Sequence, residues 1–220
     1  MLFRSIAIIA ILAAMLLPAL GNARNMGKAI SCTGNLKQTG IVLINYSSDF
    51  NGFMPSVLAT AAESYVPYWT KRLIDNGYIS SQSRKILACP SMPNLPTSYI
   101  VDPHFGMNEY IADLTNPGMA YYTGTSLKIE KVKSPTRLIL AADTRQCSAG
   151  SGLNSNPVGF FRFTAYLETA TSNYGYPDPR HNGSVNVLWL DGHISAHKTP
   201  ENPYSSQTFT QASNFKYTSQ

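Results

Sequence analysis

Charged side chains are scarce in this chain. Only 13% of its 220 residues are Asp, Glu, Lys or Arg, and the formal net charge is +5. No run of Lys or Arg forms a basic stripe, so the sequence gives little support to nucleic-acid binding, and solubility is sufficient to explain the positive excess. Tyrosine, by contrast, occurs 13 times. This weakly charged, aromatic composition is more typical of an exported surface protein than of a cytosolic enzyme.

Cysteine is also rare. The three cysteines of the chain are Cys32, Cys89 and Cys147, and their wide separation in sequence matches no metal-binding motif. In an oxidising compartment two of them could form a disulfide and leave the third free, but the sequence does not identify the pair. We therefore expect neither a metal site nor a cofactor.

Polar side chains are absent from one N-terminal segment. Residues 6–20 read IAIIAILAAMLLPAL, a run that begins at Ile6, passes Leu12 and ends at Leu20. As a helix it spans roughly 22 Å at ~1.5 Å per residue, and flanking residues are needed to cross the ~30 Å core of a membrane. Pro18 removes a backbone hydrogen bond inside the run, so we expect a kink and a partner helix beside it.

Two interpretations of this segment compete. Arg4, the apolar stretch and the small residues at 21–23 are consistent with a signal peptide that is cleaved. A retained anchor is favoured because apolar or small residues continue at steps of three and four beyond the run. They are Ala29, Cys32, Leu36, Gly40, Leu43, Tyr46 and Phe50. A cleaved leader need not be in helical continuity with the mature protein, so we predict one retained helix from residue 2 to about residue 48.

The chain divides into three parts by composition. After the apolar and amphipathic N-terminal segment comes a mixed region that can form a core, and then a segment rich in Ser, Thr, Gln and Asn without a core-forming period. We predict an N-terminal helix at residues 1–50, a globular head at 51–199 and a flexible polar tail at 200–220.

Within the head, local patterns predict one short helix and several strands. Trp69 and Leu73 lie at helical spacing before the stop signal Asn76-Gly77. Apolar segments at residues 137–142 and around 160–166 predict strands. Clustered tyrosines, among them Tyr68 and Tyr176, could stack on sugars or on a partner protein, although packing within loops accounts for them as well.

The strongest local signal lies near the C-terminus. Residues 185–190 (VNVLWL) and 193–197 flank Asp191-Gly192, and an Asp-Gly pair between two such segments favours a two-residue hairpin turn with positive φ at both central positions. Apolar residues occupy both faces of the first segment, which predicts a central strand. The predicted fold class is therefore α+β: a long N-terminal helix, then a head with an antiparallel sheet that ends in a C-terminal hairpin.

The two ends of the chain together resemble a known family. The apolar run, Cys32 and the Asn-Leu-Lys-Gln segment at 35–38 resemble the start of type IV pilin-like proteins. His181, nine further residues and then Asp191-Gly192 are similar to the His-x9-Asp-Gly motif of pseudopilin-like proteins. Further pieces that carry the resemblance are Cys89-Pro90-Ser91, the FGMN segment at 105–108, and Ser134-Pro135-Thr136 leading into Leu138 to Asp143.

The resemblance implies a non-enzymatic subunit with a single-pass anchor in the inner membrane and a head in the periplasm or outside the cell. It also implies that the N-terminal helices of like or related subunits pack into a pseudopilus or pilus-like fibre linked to type II protein secretion. The family's basic leader, processing site and Glu would fall at or before Met1, so we expect the upstream DNA to encode them. The alternative is an exported cell-surface or carbohydrate-binding protein that uses a pilin-like export signal.

His181 and Asp191 also suggest a catalytic pair. A His base with an Asp partner and Ser184 nearby would suit a hydrolase. However, the nine intervening residues separate His181 from Asp191 by ~30 Å along a strand. We therefore expect structural roles: His181 at the mouth of the hairpin, and Asp191 and Gly192 in its turn. No catalytic residue and no small-molecule substrate is predicted.

A metal site in the hairpin is the remaining possibility. His193 and His197 lie on one face of the second strand, but ~13 Å apart, which is too far to share an ion. Oxygen ligands from Asp178 and Asp191 could hold calcium, yet the sequence contains no calcium-loop pattern. We therefore predict solvent-facing histidines and no metal.

Overall fold

The computed structural model describes residues 2–57, 68–108, 126–148, 152–153, 157–163 and 175–198. The predicted tail at 200–220 lies outside these residues. The described helices are α1 (Leu2–Asp49) and α2 (Trp69–Asp75). The described strands are β1 (Phe105–Asn108), β2 (Ile139–Ser148), β3 (Gly152–Leu153), β4 (Arg162–Phe163), β5 (Gly175–Pro177), β6 (Ser184–Trp189) and β7 (Ile194–Lys198).

Helix α1 is a single helix of 48 residues that continues through Pro18. This confirms the predicted continuity between the apolar run and the amphipathic segment after it. The helix ends where Asn51 and Gly52 take positive φ values of 53° and 82°, and the Gly52 N–H donates to Ser47 O at 2.7 Å. Among the described residues, one helix, Ile6–Asp49, is long and apolar enough to cross a membrane.

The C-terminal half of α1 packs on the head along the predicted stripe. Cys32, Leu36 and Leu43 are buried. Phe50 is 38% exposed and stacks on the ring of Tyr46, one turn earlier in α1. At Gly40 the helix comes so close to β6 that an added Cβ would lie 2.9 Å from Leu188 Cδ1. Glycine therefore permits the close packing of α1 against the sheet at this point.

The sheet is built around the long strand β2. It pairs in an antiparallel manner with β1, β3, β5 and β6, and β7 extends the sheet beyond β6. Two pairings, β1 with β4 and β4 with β5, are parallel. The predicted α+β fold is confirmed, but the sheet is mixed rather than purely antiparallel, and the pairings β2–β1–β4–β5–β2 close on themselves.

Most strand and helix predictions for the head are confirmed within the described residues. Helix α2 covers the predicted Trp69–Leu73 segment, and β2 contains most of the predicted strand at 137–142, although it begins two residues later and runs on to Ser148. Strand β4 lies inside the predicted 160–166 segment, whose last residues fall outside the described ones. Strand β6 is central, between β2 and β7.

Two apolar clusters lie on opposite faces of β6. Leu188 belongs to the larger cluster, between α1 and the sheet. Val185, Val187 and Trp189 belong to the smaller one, which they share with residues of β2 and β4. Both faces of β6 are therefore buried, as the apolar residues at successive positions indicated.

The β6–β7 hairpin is confirmed, but its turn differs from the prediction. Gly192 has the expected positive φ of 83°, whereas Asp191 does not have a positive φ. The Gly192 N–H donates to Trp189 O at 2.9 Å, and the Trp189 N–H donates to His193 O at 3.0 Å. The loop therefore has three residues, a turn followed by a left-handed glycine. The additional loop residue is Leu190, whose side chain is buried in the larger core cluster and whose N–H donates to Leu138 O at 2.9 Å.

Candidate functional site

Four side chains from four separate segments converge beneath α1. Cys32 lies on α1, Cys89 follows the short 3₁₀ helix Ser83–Leu87, Asp143 lies in β2, and His181 precedes β6. Their sulfur, carboxylate oxygen and imidazole nitrogen atoms all lie within 4.8 Å of one another. The side chains of Asp143 and His181 are 0% and 5% exposed, and both cysteines are buried and free. We refer to these four residues as the Cys-Asp-His cluster.

Asp143 owes its position to a break in the strand pairing of β2. Strands β5 and β6 both pair with β2, one on each side of Asp143 along that strand. Between them, residues 179–183 form a loop that leaves β2. The Asp178 N–H still donates to Asp143 O at 2.9 Å, and the Asn186 N–H donates to Asp143 Oδ2 at 2.8 Å. Asp143 is thus held by hydrogen bonds from both ends of the connection between β5 and β6.

His181 is presented by a tight turn within that connection. The backbone of His181 and Ser184 exchanges two hydrogen bonds of 3.2 and 3.1 Å. Between them, Asn182 and Gly183 both have positive φ, 53° and 77°, which is the two-residue I′ turn that Asn-Gly favours. The sequence interpretation assigned that turn type to Asp191-Gly192 and missed the Asn-Gly signal here.

The contacts inside the cluster are close to hydrogen-bonding distance. The Cys32 thiol donates to Asp143 Oδ1 at 3.3 Å. His181 Nε2 lies 3.4 Å from Asp143 Oδ2 and 3.5 Å from Cys89 Sγ. On the other side of the ring, His181 Nδ1 lies 3.4 Å from Ser91 Oγ. The ring therefore points one nitrogen into the cluster and the other toward a hydroxyl at its edge.

Cys89 is positioned by hydrogen bonds between its loop, α1 and the head. Asn35 on α1 donates to Ala88 O at 2.8 Å, and Thr39 donates to Ile86 O at 3.1 Å. The Cys89 N–H donates to His104 Nδ1 at 2.9 Å. These bonds keep the cysteine loop against the same face of α1 that carries Cys32.

Electrostatics in the cluster are dominated by buried charges of both signs. Arg180 forms an ion pair with Asp178 at 3.0 Å and also donates to Thr144 O. Burial lowers the pKa of His181, but hydrogen bonds to Asp143 and Cys89 outweigh it and raise that pKa to about 9. The neighbouring Cys32 and His181 side chains lower the pKa of the Cys89 thiol, against the effect of burial.

A groove of about 670 Å³ opens beside the cluster, between α1 and the head. Its α1 side is formed by residues between Asn22 and Ala29, and its head side includes Ser91, Arg180 and His181. Of the four cluster residues, His181 lines the groove, together with the neighbouring Ser91 and Arg180.

The His-x9-Asp pair does not form one site. His181 joins the Cys-Asp-His cluster before β6, whereas Asp191 lies in the turn after it. There the Asp191 Oδ1 accepts the His193 N–H at 3.1 Å and lies 2.6 Å from His193 Nδ1. His181 is thus placed near the start of the final hairpin, but its side-chain partners are Asp143, Cys89 and Ser91, none of which the sequence interpretation paired with it.

The other histidines of the hairpin flank an aromatic ring. The rings of His193 and His197 lie 5.4 and 5.8 Å from that of Trp189, whose Nε1–H donates to Ser195 at 2.6 Å. They thus cover Trp189 as well as facing solvent. Tyr68 likewise packs on the Phe161 ring at 3.7 Å, and Tyr176 is buried; Tyr65, Tyr121, Tyr122 and Tyr174 lie outside the described residues.

Two kinds of chemistry can be compared with the geometry of the cluster, a hydrolytic triad and a metal site. Ser91 and Asp143 contact opposite nitrogens of His181, the order found in a hydrolytic triad, but both contacts are 3.4 Å, longer than the ~2.6–3.2 Å of a nucleophile–base pair. The Nε2 atom is also shared between Asp143 and Cys89. All four cluster residues, by contrast, are metal-ligating types.

Sequence reasoning missed the cluster because its members are far apart along the chain. One signal was present: each of the four residues lies in a segment that carries the family resemblance. Cys32 and His181 belong to its two end motifs, Cys89 opens the Cys-Pro-Ser piece, and Asp143 closes the apolar strand segment.

No protein-family model, no curated protein and no solved structure matches the chain. The structure itself has a long N-terminal apolar helix followed by a small head that contains a sheet. This arrangement is compatible with a pilin-like architecture.

Proposed function

We propose that this chain is a non-enzymatic, single-pass membrane subunit of the pilin-like or pseudopilin-like kind, anchored in the inner membrane with its head outside the cytoplasm. The observation that carries the proposal is the exposure of the apolar half of α1. Ile9, Leu16 and Leu20 are 64%, 67% and 68% exposed. The 18-residue stretch of α1 that is apolar enough to cross a membrane has no residue buried inside the protein.

The energetics of this half-helix favour lipid or other helices around it. A helix that is apolar on all sides is stable only when it is buried. Removing each exposed Ile or Leu side chain from water contributes ~1.5–3 kcal/mol. Insertion into a bilayer supplies that burial for a single chain, and packing among the helices of an assembly supplies it within a fibre.

The junction between helix and head supports a role as a subunit rather than as a tethered, independent domain. The same helix that carries the exposed apolar segment enters the head's core, where Leu36 and Leu43 are wholly buried. A displacement of the anchor is therefore transmitted directly to the head. Such rigid coupling suits an assembly in which helix packing sets the positions of the heads.

Membrane anchoring is tested by fractionation of a Gram-negative host that expresses the full chain. We expect the protein in the membrane fraction after alkaline carbonate extraction, with the head degraded by protease added to spheroplasts. Leu16→Arg places a charge in the apolar segment of α1 at a cost of ~2.5–3.5 kcal/mol for membrane insertion. It should therefore shift protein from the membrane fraction to the soluble fraction. The matched control Ile30→Arg, at a residue that is also exposed but lies outside the apolar run, should not.

The alternative, an exported soluble protein, predicts a different fractionation. Under this alternative, the protein is found in the soluble periplasmic fraction, and mass spectrometry shows an N-terminus near Arg24. That result would contradict the proposal of an anchored subunit. In that case Leu16→Arg would affect export rather than retention in the membrane.

Assembly through the helices is tested by site-specific photo-crosslinking. A photoreactive amino acid at Leu16 should give adducts at multiples of the subunit mass. The same group at Lys71, on the exposed surface of α2, is the control and should give none of these multiples. Adducts at Lys71 alone would mean that subunits meet through their heads.

A further inference from the structure

We propose that Cys32, Cys89, Asp143 and His181 together bind one Zn²⁺ ion, and that this structural site fastens α1 to the head. The site does not depend on the proposed function, because it involves only the buried half of the helix and the head. It would be present in an anchored subunit and in an exported soluble protein alike.

Two separations in the cluster are close to those of a tetrahedral zinc site, and all four ligand atoms lie within 4.8 Å of one another. With Zn–S near 2.3 Å and Zn–N or Zn–O near 2.0–2.1 Å, tetrahedral ligands lie about 3.5 Å apart for sulfur with nitrogen or oxygen, and about 3.3 Å for nitrogen with oxygen. In the cluster, Cys32 Sγ lies 3.3 Å from Asp143 Oδ1 and Cys89 Sγ lies 3.5 Å from His181 Nε2. His181 Nε2 lies 3.4 Å from the second carboxylate oxygen, Oδ2, so the carboxylate turns slightly when Oδ1 binds the ion.

The donor set favours zinc over other common ions. Two thiolates, an imidazole and a carboxylate are ligands that Zn²⁺ takes in proteins. Calcium and magnesium prefer oxygen ligands in larger number, and only one cluster residue supplies oxygen. Soft thiolate ligands with imidazole in a four-coordinate arrangement point to zinc.

Groups next to the cluster already orient the ligands. Ser91 lies against His181 Nδ1, so Nε2 is the ring nitrogen that faces the cluster. The Asn186 N–H binds Asp143 Oδ2, which leaves Oδ1 directed at Cys32. Hydrogen bonds from such outer groups hold ligands in place at metal sites and tune their basicity.

Charge balance also favours a bound cation. With their protons displaced by the metal, the two cysteines and the Asp143 carboxylate would carry three negative charges, which a divalent ion would reduce to one. The buried guanidinium of Arg180 lies close by, in an ion pair with Asp178. Buried charges are costly unless they are paired or bound to metals, and a bound ion would take the place of the pairing that the wholly buried Asp143 carboxylate makes with His181.

The site closes rather than exposes the ion, so its role is structural. Four protein ligands complete a tetrahedron, whereas catalytic zinc sites keep one position for water or substrate. The ligands come from α1, the loop after the 3₁₀ helix, β2 and the turn before β6. Binding free energy at such a site becomes folding free energy and here holds the helix on the sheet.

A Cys32–Cys89 disulfide is the competing use of the two thiols. Their sulfur atoms lie within 4.8 Å of each other, and an oxidising compartment would permit the bond. Zinc is favoured because each thiol also contacts a different ligand of the cluster, Asp143 for Cys32 and His181 for Cys89. A disulfide would use neither the carboxylate nor the imidazole.

The test uses the full chain, purified in detergent without chelator. We expect one zinc per chain by elemental mass spectrometry. Replacement by Co²⁺ should give thiolate charge-transfer absorption and the intense visible bands of tetrahedral cobalt. Cys89→Ser and His181→Asn should each weaken Co²⁺ binding by more than about tenfold. His193→Ala and Cys147→Ser are the matched controls and should bind Co²⁺ like the parent chain.

A second measurement on the unmutated chain avoids the risk that variants fail to fold. Zinc should protect Cys32 and Cys89 from alkylation, and a chelator should remove that protection. Three results would overturn the proposal: no stoichiometric zinc or cobalt in the reduced chain, an isolated chain whose mass and peptide map show a Cys32–Cys89 disulfide, or loss of the cobalt spectrum in Cys147→Ser.

Discussion

The thiol of Cys32 lies 3.3 Å from the carboxylate of Asp143, so the helix that carries the apolar segment is joined to the middle of the longest strand. The two residues are separated by most of the head in sequence. Their contact places a polar cluster in the junction between α1 and the head, beside apolar side chains of α1 such as Leu36 and Leu43.

Two glycines of α1 should respond differently to alanine. At Gly34 an added Cβ meets nothing within 4 Å, whereas at Gly40 it would lie 2.9 Å from Leu188 Cδ1. Gly34→Ala should stabilise the protein by up to ~1 kcal/mol through helix propensity. Gly40→Ala should gain less or destabilise, because Leu188 must move. Thermal midpoints of the full chain in detergent provide the comparison, and equal gains would mean that α1 does not pack closely on β6.

Gly192 should tolerate asparagine better than valine. Its φ of 83° lies in the left-handed region, where a Cβ costs roughly 1–2 kcal/mol and a β-branched side chain is the most strained. Gly192→Val should therefore lower the thermal midpoint more than Gly192→Asn. Gly183, with a φ of 77° and open space around it, is the matched position and should show the same order. An inverted order at Gly192 would place the hairpin turn elsewhere.

The exposed pair Asp191 and His193 should make a small, pH-dependent contribution to stability. Burial raises the pKa of Asp191, but hydrogen bonds from the His193 backbone and ring outweigh it, so that this pKa is lowered. A lowered carboxylate pKa contributes stability above the unfolded value near ~3.9 that is lost as pH falls through the folded pKa.

Asp191→Asn should accordingly destabilise the chain at pH 7 by at most ~1 kcal/mol, because exposed pairs are weak. The difference between the variant and the parent chain should vanish at pH values below the lowered pKa. Urea unfolding at the two pH values gives the measurement. A difference that persists in acid would show that the Asn side chain disturbs the turn by some route other than charge.

His181 and Ser91 should have no catalytic role. His181→Ala removes hydrogen bonds and should lower stability by ~1 kcal/mol or more, while Ser91→Ala should change stability much less. Neither variant should alter any turnover of ester, peptide or glycoside substrates by the purified chain. Hydrolysis that disappears in both variants, with folding retained by circular dichroism, would contradict the non-enzymatic proposal.

Local features of the sequence were enough to predict much of the fold. The apolar run and the stripe from Cys32 to Tyr46 predicted α1, since helical periodicity is encoded within a few turns. The alternation around Val187 and the glycine at 192 predicted the final hairpin and the central position of β6. These elements follow from interactions between residues close together in the chain.

What the sequence by itself determined is therefore the long helix, the α+β class and the C-terminal hairpin. Only the tertiary structure decided the parallel pairings of β4, the third loop residue Leu190, which is buried in the core, and the meeting of Cys32 with Cys89, Asp143 and His181. The physical reason is that these features arise from burial and pairing between distant segments. Neither hydrophobic periodicity nor residue spacing in the sequence indicates which distant segments come into contact when the core forms.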